Sequence, residues 1–199
     1  ADYMQQLELS VREAVAGQIG VITIGAISSA MLDVLPPILD RFRKSNPGIT
    51  LAVREIDSAD AVPLLRSGEI DVAFARLENV RDTDIEARPL QQDRLAVALP
   101  KDHKLATRSR IRLASLAGED FIMFAREVSP DYFDSLTAAC RTQGFTPRVL
   151  HEVRSVSSQV AFVGCGQGVA LVPASLRKLA PENVVVRPLG DNVTVVTTA

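Results

Sequence analysis

The chain has 199 residues, 47% of them hydrophobic, and a formal net charge of -2. That length allows a substantial core in one large or two small domains, and the near-neutral balance provides no field to draw the chain onto nucleic acid or an anionic membrane. No apolar run approaches the roughly 20 residues of a membrane-spanning helix, and Ala1-Asp2-Tyr3-Met4-Gln5-Gln6 shows neither the basic start nor the apolar continuation of a signal peptide.

The first expected element is a helix. Met4, Leu7, Val11 and Ala14 recur as an a/d seam, with Gln5, Gln6, Glu8, Arg12 and Glu13 on the other faces and Gly17 and Gly20 at its end. It lacks a convincing capping box, so it reads either as a surface helix of its own domain or as the tail of a longer one. Val21-Ile22-Thr23-Ile24-Gly25-Ala26 is a β-branched run suited to a buried parallel strand. Ser28 and Ser29 then offer cap-type residues ahead of a helical pattern through Met31, Leu35, Ile38, Leu39 and Phe42, which Pro36 and Pro37 either kink or restart. Asn46-Pro47-Gly48 is a turn, and Ile49, Leu51 and Val53 alternate as a strand. Asp57-Ser58 is expected to cap a second helix that Gly68 closes.

The stretch Gly68-Glu69-Ile70-Asp71-Val72-Ala73-Phe74-Ala75-Arg76-Leu77 follows. It reads as a glycine-closed helix, a buried strand and an arginine at the strand's carboxyl end, where open α/β sheets bind ligands. Asp93-Arg94-Leu95-Ala96-Val97-Ala98-Leu99 is a long strand stopped by Pro100. A second αβ series is expected beyond it: a strand over 121–124, a helix over 131–143, a strand over 149–153, a helix over 157–165, and strands over 169–172 and 184–189. The expected fold class is α/β, with two Rossmann-like αβ lobes joined by crossover strands near 95–99 and 193–196.

Cys140 and Cys165 are read as reduced core residues on separate helices. His103 and His151 lack partners at ligand spacing, so neither a metal nor a cofactor is expected. Three helix starts follow strands and carry hydroxyls, near Ser28 and Ser29, at Ser58 and over 155–158, and several such starts around one cleft would make an anion site. Any one serine taken alone reads first as an N-cap, and it is their shared position at strand carboxyl ends that points to a site. Arg76, Arg126 and Arg154 are the cationic candidates. Arg76 is the one least explained as surface charge. Tyr132, in the loop Ala125-Arg126-Glu127-Val128-Ser129-Pro130-Asp131-Tyr132, either offers its ring to a flat ligand or packs on its own lobe. Gly164-Cys165-Gly166-Gln167-Gly168 ends a helix and precedes a strand, the reverse of a dinucleotide motif. With no nucleophile elbow, and Cys165 lacking a histidine to activate it, the chain is not read as an enzyme.

Taken with Leu35-Pro36-Pro37-Ile38-Leu39-Asp40-Arg41-Phe42-Arg43 and Gly166-Gln167-Gly168-Val169-Ala170-Leu171-Val172-Pro173, the strand over 70–77 resembles the effector-binding domain of LysR-type transcriptional regulators. The resemblance runs from about Gln18 to Val196 and is nearest to members that respond to benzoate or muconate. It implies a periplasmic-binding-protein type II-like fold: residues 1–17 as the end of a dimerising linker helix, 18–94 as lobe I, 95–192 as lobe II, and 193–199 returning to a lobe I whose carboxyl-terminal part is missing. It also implies a cytoplasmic homodimer or homotetramer, DNA bound only through a helix-turn-helix domain outside this chain, RNA polymerase as a further partner, and no membrane.

An effector carboxylate would meet Ser29 and Ser58, and Pro130-Asp131-Tyr132 would supply a proline-x-aromatic step in which tyrosine replaces an expected phenylalanine. Arg76 would match a cleft arginine used at a second site by some members. The expected effector-binding set is Ser28, Ser29, Ser58, Arg76, Pro130, Asp131, Tyr132, Arg154 and Val169. The ligand would be a small anionic molecule, aromatic or a dicarboxylate, bound between the lobes. The alternatives are a periplasmic-type solute-binding protein and, from another class, a small αβ enzyme.

Overall fold

The computed structural model describes Gly17, residues 19–76, residues 84–190 and the backbone of 195–198. The amino-terminal seam, Leu77 and the first part of the expected return strand lie outside the described residues. The chain forms two compact units, Ala1–Ile56 with Asp60–Phe74, and Asp57–Ala59 with Ala75–Ala199. Each is a sheet with helices, as the α/β reading expects.

In the first unit, β1 (Gly20–Ala26) pairs in parallel with β2 (Ile49–Glu55) and β3 (Val72–Phe74), in the order β2-β1-β3. The β-branched run therefore became the central strand, where both edges are bonded. Gly25 is closely packed there: a Cβ would lie 2.7 Å from the Cδ1 atoms of both Ile56 and Ile70, so both side-chain ends would have to shift to admit it. The run expected to be a buried strand over 70–77 is shorter, and Val72 is exposed while Phe74 is buried.

The pattern from Met31 to Phe42 is two helices, α1 (Ser28–Leu32) and α2 (Leu35–Ser45), so the prolines restart a helix. Pro36 and Pro37 occupy the first turn of α2, where the missing N–H would have no helical partner. Ser28 and Ser29 are not its caps. Ile27 holds the N-cap position of α1 without a side-chain bond, and the two serines are the first residues inside the helix. Helix α3 (Ala61–Ser67) begins later than expected, after a short 3-10 turn over Ser58–Asp60, and is closed by Gly68 at φ 71.

The second unit is built on β4 (Gln91–Pro100). It runs antiparallel to β7 (Ala170–Pro173) on one side and β8 (Val184–Pro188) on the other, while β9 (Val195–Thr198) pairs with Gln91–Arg94 at its start. Strand β5 (Asp120–Phe124) is parallel to β6 (Arg148–Val153), and a bridge between Phe121 and Val169 joins β5 to the chain entering β7. Leu95, Ala96, Val97, Ala98 and Leu99 are all buried, the unbroken apolar run of a strand covered on both faces. Helices α4 (Pro130–Thr142) and α5 (Val156–Gly164) add Leu136, Val160 and Val163 to this core.

Ser155 caps α5, its Oγ accepting the Ser158 N–H at 3.1 Å. Ser155→Ala should therefore lower unfolding free energy by about 1 kcal/mol in urea. An unchanged midpoint would mean that the cap contributes nothing.

Cys140 is buried on α4, and burial pushes its thiol up to about 11. Cys165 corrects the expectation of two core cysteines: α5 ends at Gly164, and the following turn leaves Cys165 exposed. Among the described residues no helix is long and apolar enough to cross a membrane, and no group of three His, Cys, Asp or Glu side chains could hold a metal ion.

Candidate functional site

The apolar run ending β3 continues through buried Ala75 to Arg76, which belongs to the second unit and is only 6% exposed. A guanidinium so placed loses water on every side and needs compensation. Part comes from Tyr132, whose ring centroid lies 4.3 Å from the Arg76 Cζ, a cation–π stack. Burial lowers the Arg76 pKa, while the interactions with Tyr132 and Asp93 oppose that effect. Arginine nevertheless remains a cation at any physiological pH.

The backbone around this cation is tied down. Ser58, expected to cap a helix, accepts the Arg76 backbone N–H on its Oγ at 3.2 Å. The neighbouring Ala59 N–H donates to the Val128 carbonyl at 3.2 Å, and Arg154 donates to the Asp57 carboxylate and to Glu127. Residues 57–59 are thus held to the loop ahead of α4 and to the start of the Arg154 turn, all within the second unit.

Tyr132 lies in the first turn of α4, 3% exposed, with its ring also edge-on to Phe124. Burial raises its pKa, Arg76 lowers it, and Asp93 raises it further. The phenol is therefore neutral near pH 7, a donor and acceptor together. Its hydroxyl, and that of Ser129 before α4, are buried without a hydrogen-bond partner among the described residues.

Of the expected set, the structure brings together Arg76, Ser58 and Tyr132. Pro130 and Asp131 open α4, Pro130 half-buried and Asp131 exposed. Arg154 is exposed and engaged in its ion pairs. Ser28 and Ser29 are half-buried in the first unit. Val169 is a core residue, its backbone bonded to Asp120 and Ile122. Arg126, a further cationic candidate, is an exposed partner of Asp134 through two bonds at 2.9 and 2.7 Å.

Two buried polar residues escaped sequence reasoning. Ser129 directly before Pro130 reads as a helix cap, yet its side chain makes no cap bond. Gln159 is buried on α5 and donates from Nε2 to the Ile122 carbonyl at 2.9 Å. Its position on an otherwise apolar helix face, between Val156 and Val163, was the available signal. A cation beside an aromatic face is an arrangement whose chemistry suits an anion.

The family described as LysR substrate binding domain matches residues 16–199. The HTH-type transcriptional regulator AlsR of Bacillus subtilis is 30% identical over 185 residues, 93% of this chain and 61% of that protein. CatR of Pseudomonas putida, also an HTH-type transcriptional regulator, is 33% identical over 175 residues, 88% of this chain and 60% of that protein. The chain thus spans about three-fifths of these relatives' length. Among solved structures, the BenM effector binding domain with its effector benzoate superposes with a TM-score of 0.79 at 27% identity, covering 89% of this chain and 81% of that one.

Proposed function

This chain belongs to the LysR substrate-binding-domain family, and from that premise we propose that it senses a small carboxylate, aromatic or a diene dicarboxylate, through the group around Arg76. Its two αβ lobes are of the type II periplasmic-binding-like kind, and its relatives are transcriptional regulators, not enzymes. The observation that carries the ligand class is the buried Arg76 guanidinium stacked on Tyr132. An arginine fork matches a carboxylate with two parallel bonds. The benzoate held by the BenM neighbour makes aromatic acids the first class to test. Ser58, which accepts the Arg76 backbone N–H, belongs to the proposed site, and Pro130, Asp131, Arg154 and Val169 are its further proposed effector-binding residues. Ser28 and Ser29 are the effector-binding hydroxyls proposed on the first unit.

In the whole protein this domain works as a cytoplasmic homodimer or homotetramer. Effector binding shifts the population of its arrangements, and a helix-turn-helix domain reads the shift out on DNA and RNA polymerase.

Calorimetric titration with benzoate, salicylate, cis,cis-muconate, a sugar and an amino acid tests the ligand class. Binding is expected for at least one of the acids and for neither control. Ser29→Ala should weaken that binding about tenfold, the value of a lost hydrogen bond to a charged group. A response to the sugar or amino acid alone would move the assignment to a solute-binding protein.

A further inference from the structure

The formal charge of -2 averages over an uneven distribution. The stretch Lys101-Asp102-His103-Lys104-Leu105-Ala106-Thr107-Arg108-Ser109-Arg110-Ile111-Arg112 sets five cations against the single carboxylate of Asp102. That is +4 with histidine neutral, so the rest of the chain carries -6. Glu119 also reaches this loop, but it pairs with Lys104 at 2.8 Å and faces His103 at 3.5 Å. Lys101, Arg108, Arg110 and Arg112 are exposed and form no ion pair among the described residues.

The backbone that carries these cations is held to the second unit. The Lys101 N–H donates to the Asn183 carbonyl at 2.9 Å, and the Ile111 N–H donates to the Pro188 carbonyl at 3.1 Å. Between them, Ala106 bonds to the His103 carbonyl and Arg108 to that of Leu105, and Arg187 donates from Nε to the Ala106 carbonyl at 2.9 Å. Ala106 and Ile111 are buried. A partner therefore has to order only side-chain ends, which keeps the entropic cost of binding low.

Every exposed side chain of the loop is polar: Lys101, Asp102, Lys104, Thr107, Arg108, Ser109, Arg110 and Arg112. A protein partner is ordinarily gripped through an apolar or aromatic anchor, and this surface offers none. It presents no ring on which an unpaired base could stack either. Phosphate oxygens ask only for donors, and arginine, lysine, serine and threonine supply much of the phosphate contact on DNA. Thr107 and Ser109 alternate with Arg108 and Arg110, placing hydroxyl donors among the guanidinium groups.

We infer that the loop over 101–112 is a sequence-independent contact for the phosphate backbone of duplex DNA. This goes beyond the effector reading and does not depend on it. Where a helix-turn-helix domain already holds the DNA, a second weak contact acts at high effective concentration and adds affinity without reading bases.

Fluorescence anisotropy with two labelled duplexes of unrelated sequence, titrated with the chain between about 50 and 200 mM salt, tests the contact. Four phosphate contacts predict a slope of about -3.6 in log affinity against log salt, or about a hundredfold weakening across that range. The two duplexes should bind equally well. Arg108→Glu with Arg110→Glu should weaken binding at least tenfold at the lowest salt and bring the slope about 2 closer to zero. Lys101→Gln with Arg112→Gln should flatten the slope by the same amount. Arg43→Glu with Lys44→Glu on α2 changes the net charge as much as the first pair and should leave binding unchanged. Thermal melting checks that the variants fold, as expected for exposed side chains without ion-pair partners. No binding at the lowest salt would overturn the inference, as would equal losses from the loop pair and the α2 pair. Binding of poly-L-glutamate as tightly as the duplexes would also overturn it and assign the loop to an acidic protein.

Discussion

Replacing Arg76 by alanine should raise the dissociation constant of the effector acid at least a hundredfold while the second unit stays folded. Removing one partner of a buried charge pair costs about 2–5 kcal/mol, and each 1.4 kcal/mol is tenfold in affinity. Part of that loss comes from the ligand carboxylate, which would be buried beside Tyr132 with no cation to meet it. Arg76→Lys should fall between the two, because an ammonium keeps the charge but loses the planar stack 4.3 Å over the ring and the second bond of the fork. Calorimetry gives the affinities, and thermal melting with far-UV circular dichroism gives the fold. A dissociation constant for Arg76→Ala within twofold of the wild type would remove Arg76 from the site.

The largest loss of stability is expected from Gly168→Ala. Gly168 has φ 148, and a Cβ there would stand 2.5 Å from the backbone carbonyl oxygen of Asp120. That oxygen is fixed, since it accepts the Val169 N–H at 2.8 Å and lies where β5 meets the chain entering β7. A side chain end could swing away, but this strand cannot without breaking its ladder. Backbone strain of about 1–3 kcal/mol and overpacking of a similar size together predict a loss of about 3–5 kcal/mol in urea. Gly118→Ala is the control, because a Cβ there meets nothing within 4 Å. Equal stability of the two variants would show that the close approach at Gly168 relaxes without cost.

The same glycine shows why a motif can be legible while its reason is not. Gly166-x-Gly168 was readable as a helix-to-strand junction. Gly166, at φ 72, sits in the left-handed turn just beyond α5, as a helix-ending glycine does. Gly168 is glycine for a different reason, the carbonyl of Asp120 across the sheet, which lies far away in sequence.

Local signals placed most of the elements. β-branched runs marked β1 and the buried middle of β4, proline marked the restart at α2, and glycine marked the end of α3. These signals act over one or two turns, so the chain carries them wherever it folds. They failed where burial decides. The stretch expected to be a buried strand at 70–77 is regular only over Val72–Phe74, and Cys165 followed an apolar helix pattern out to the surface.

The sequence by itself determined the α/β class, the order of the elements and the family, because periodicity, turn residues and ordered motifs are properties of neighbouring positions. It also singled out Arg76, as a charge ending an apolar run, and Tyr132, as a ring entering a helix. Only the tertiary structure decided that the two stack, that Ser58 holds the Arg76 backbone instead of capping a helix, and that the Tyr132 and Ser129 hydroxyls are buried without partners among the described residues. Those facts depend on desolvation and on directional contacts between residues distant in sequence, which no local pattern encodes.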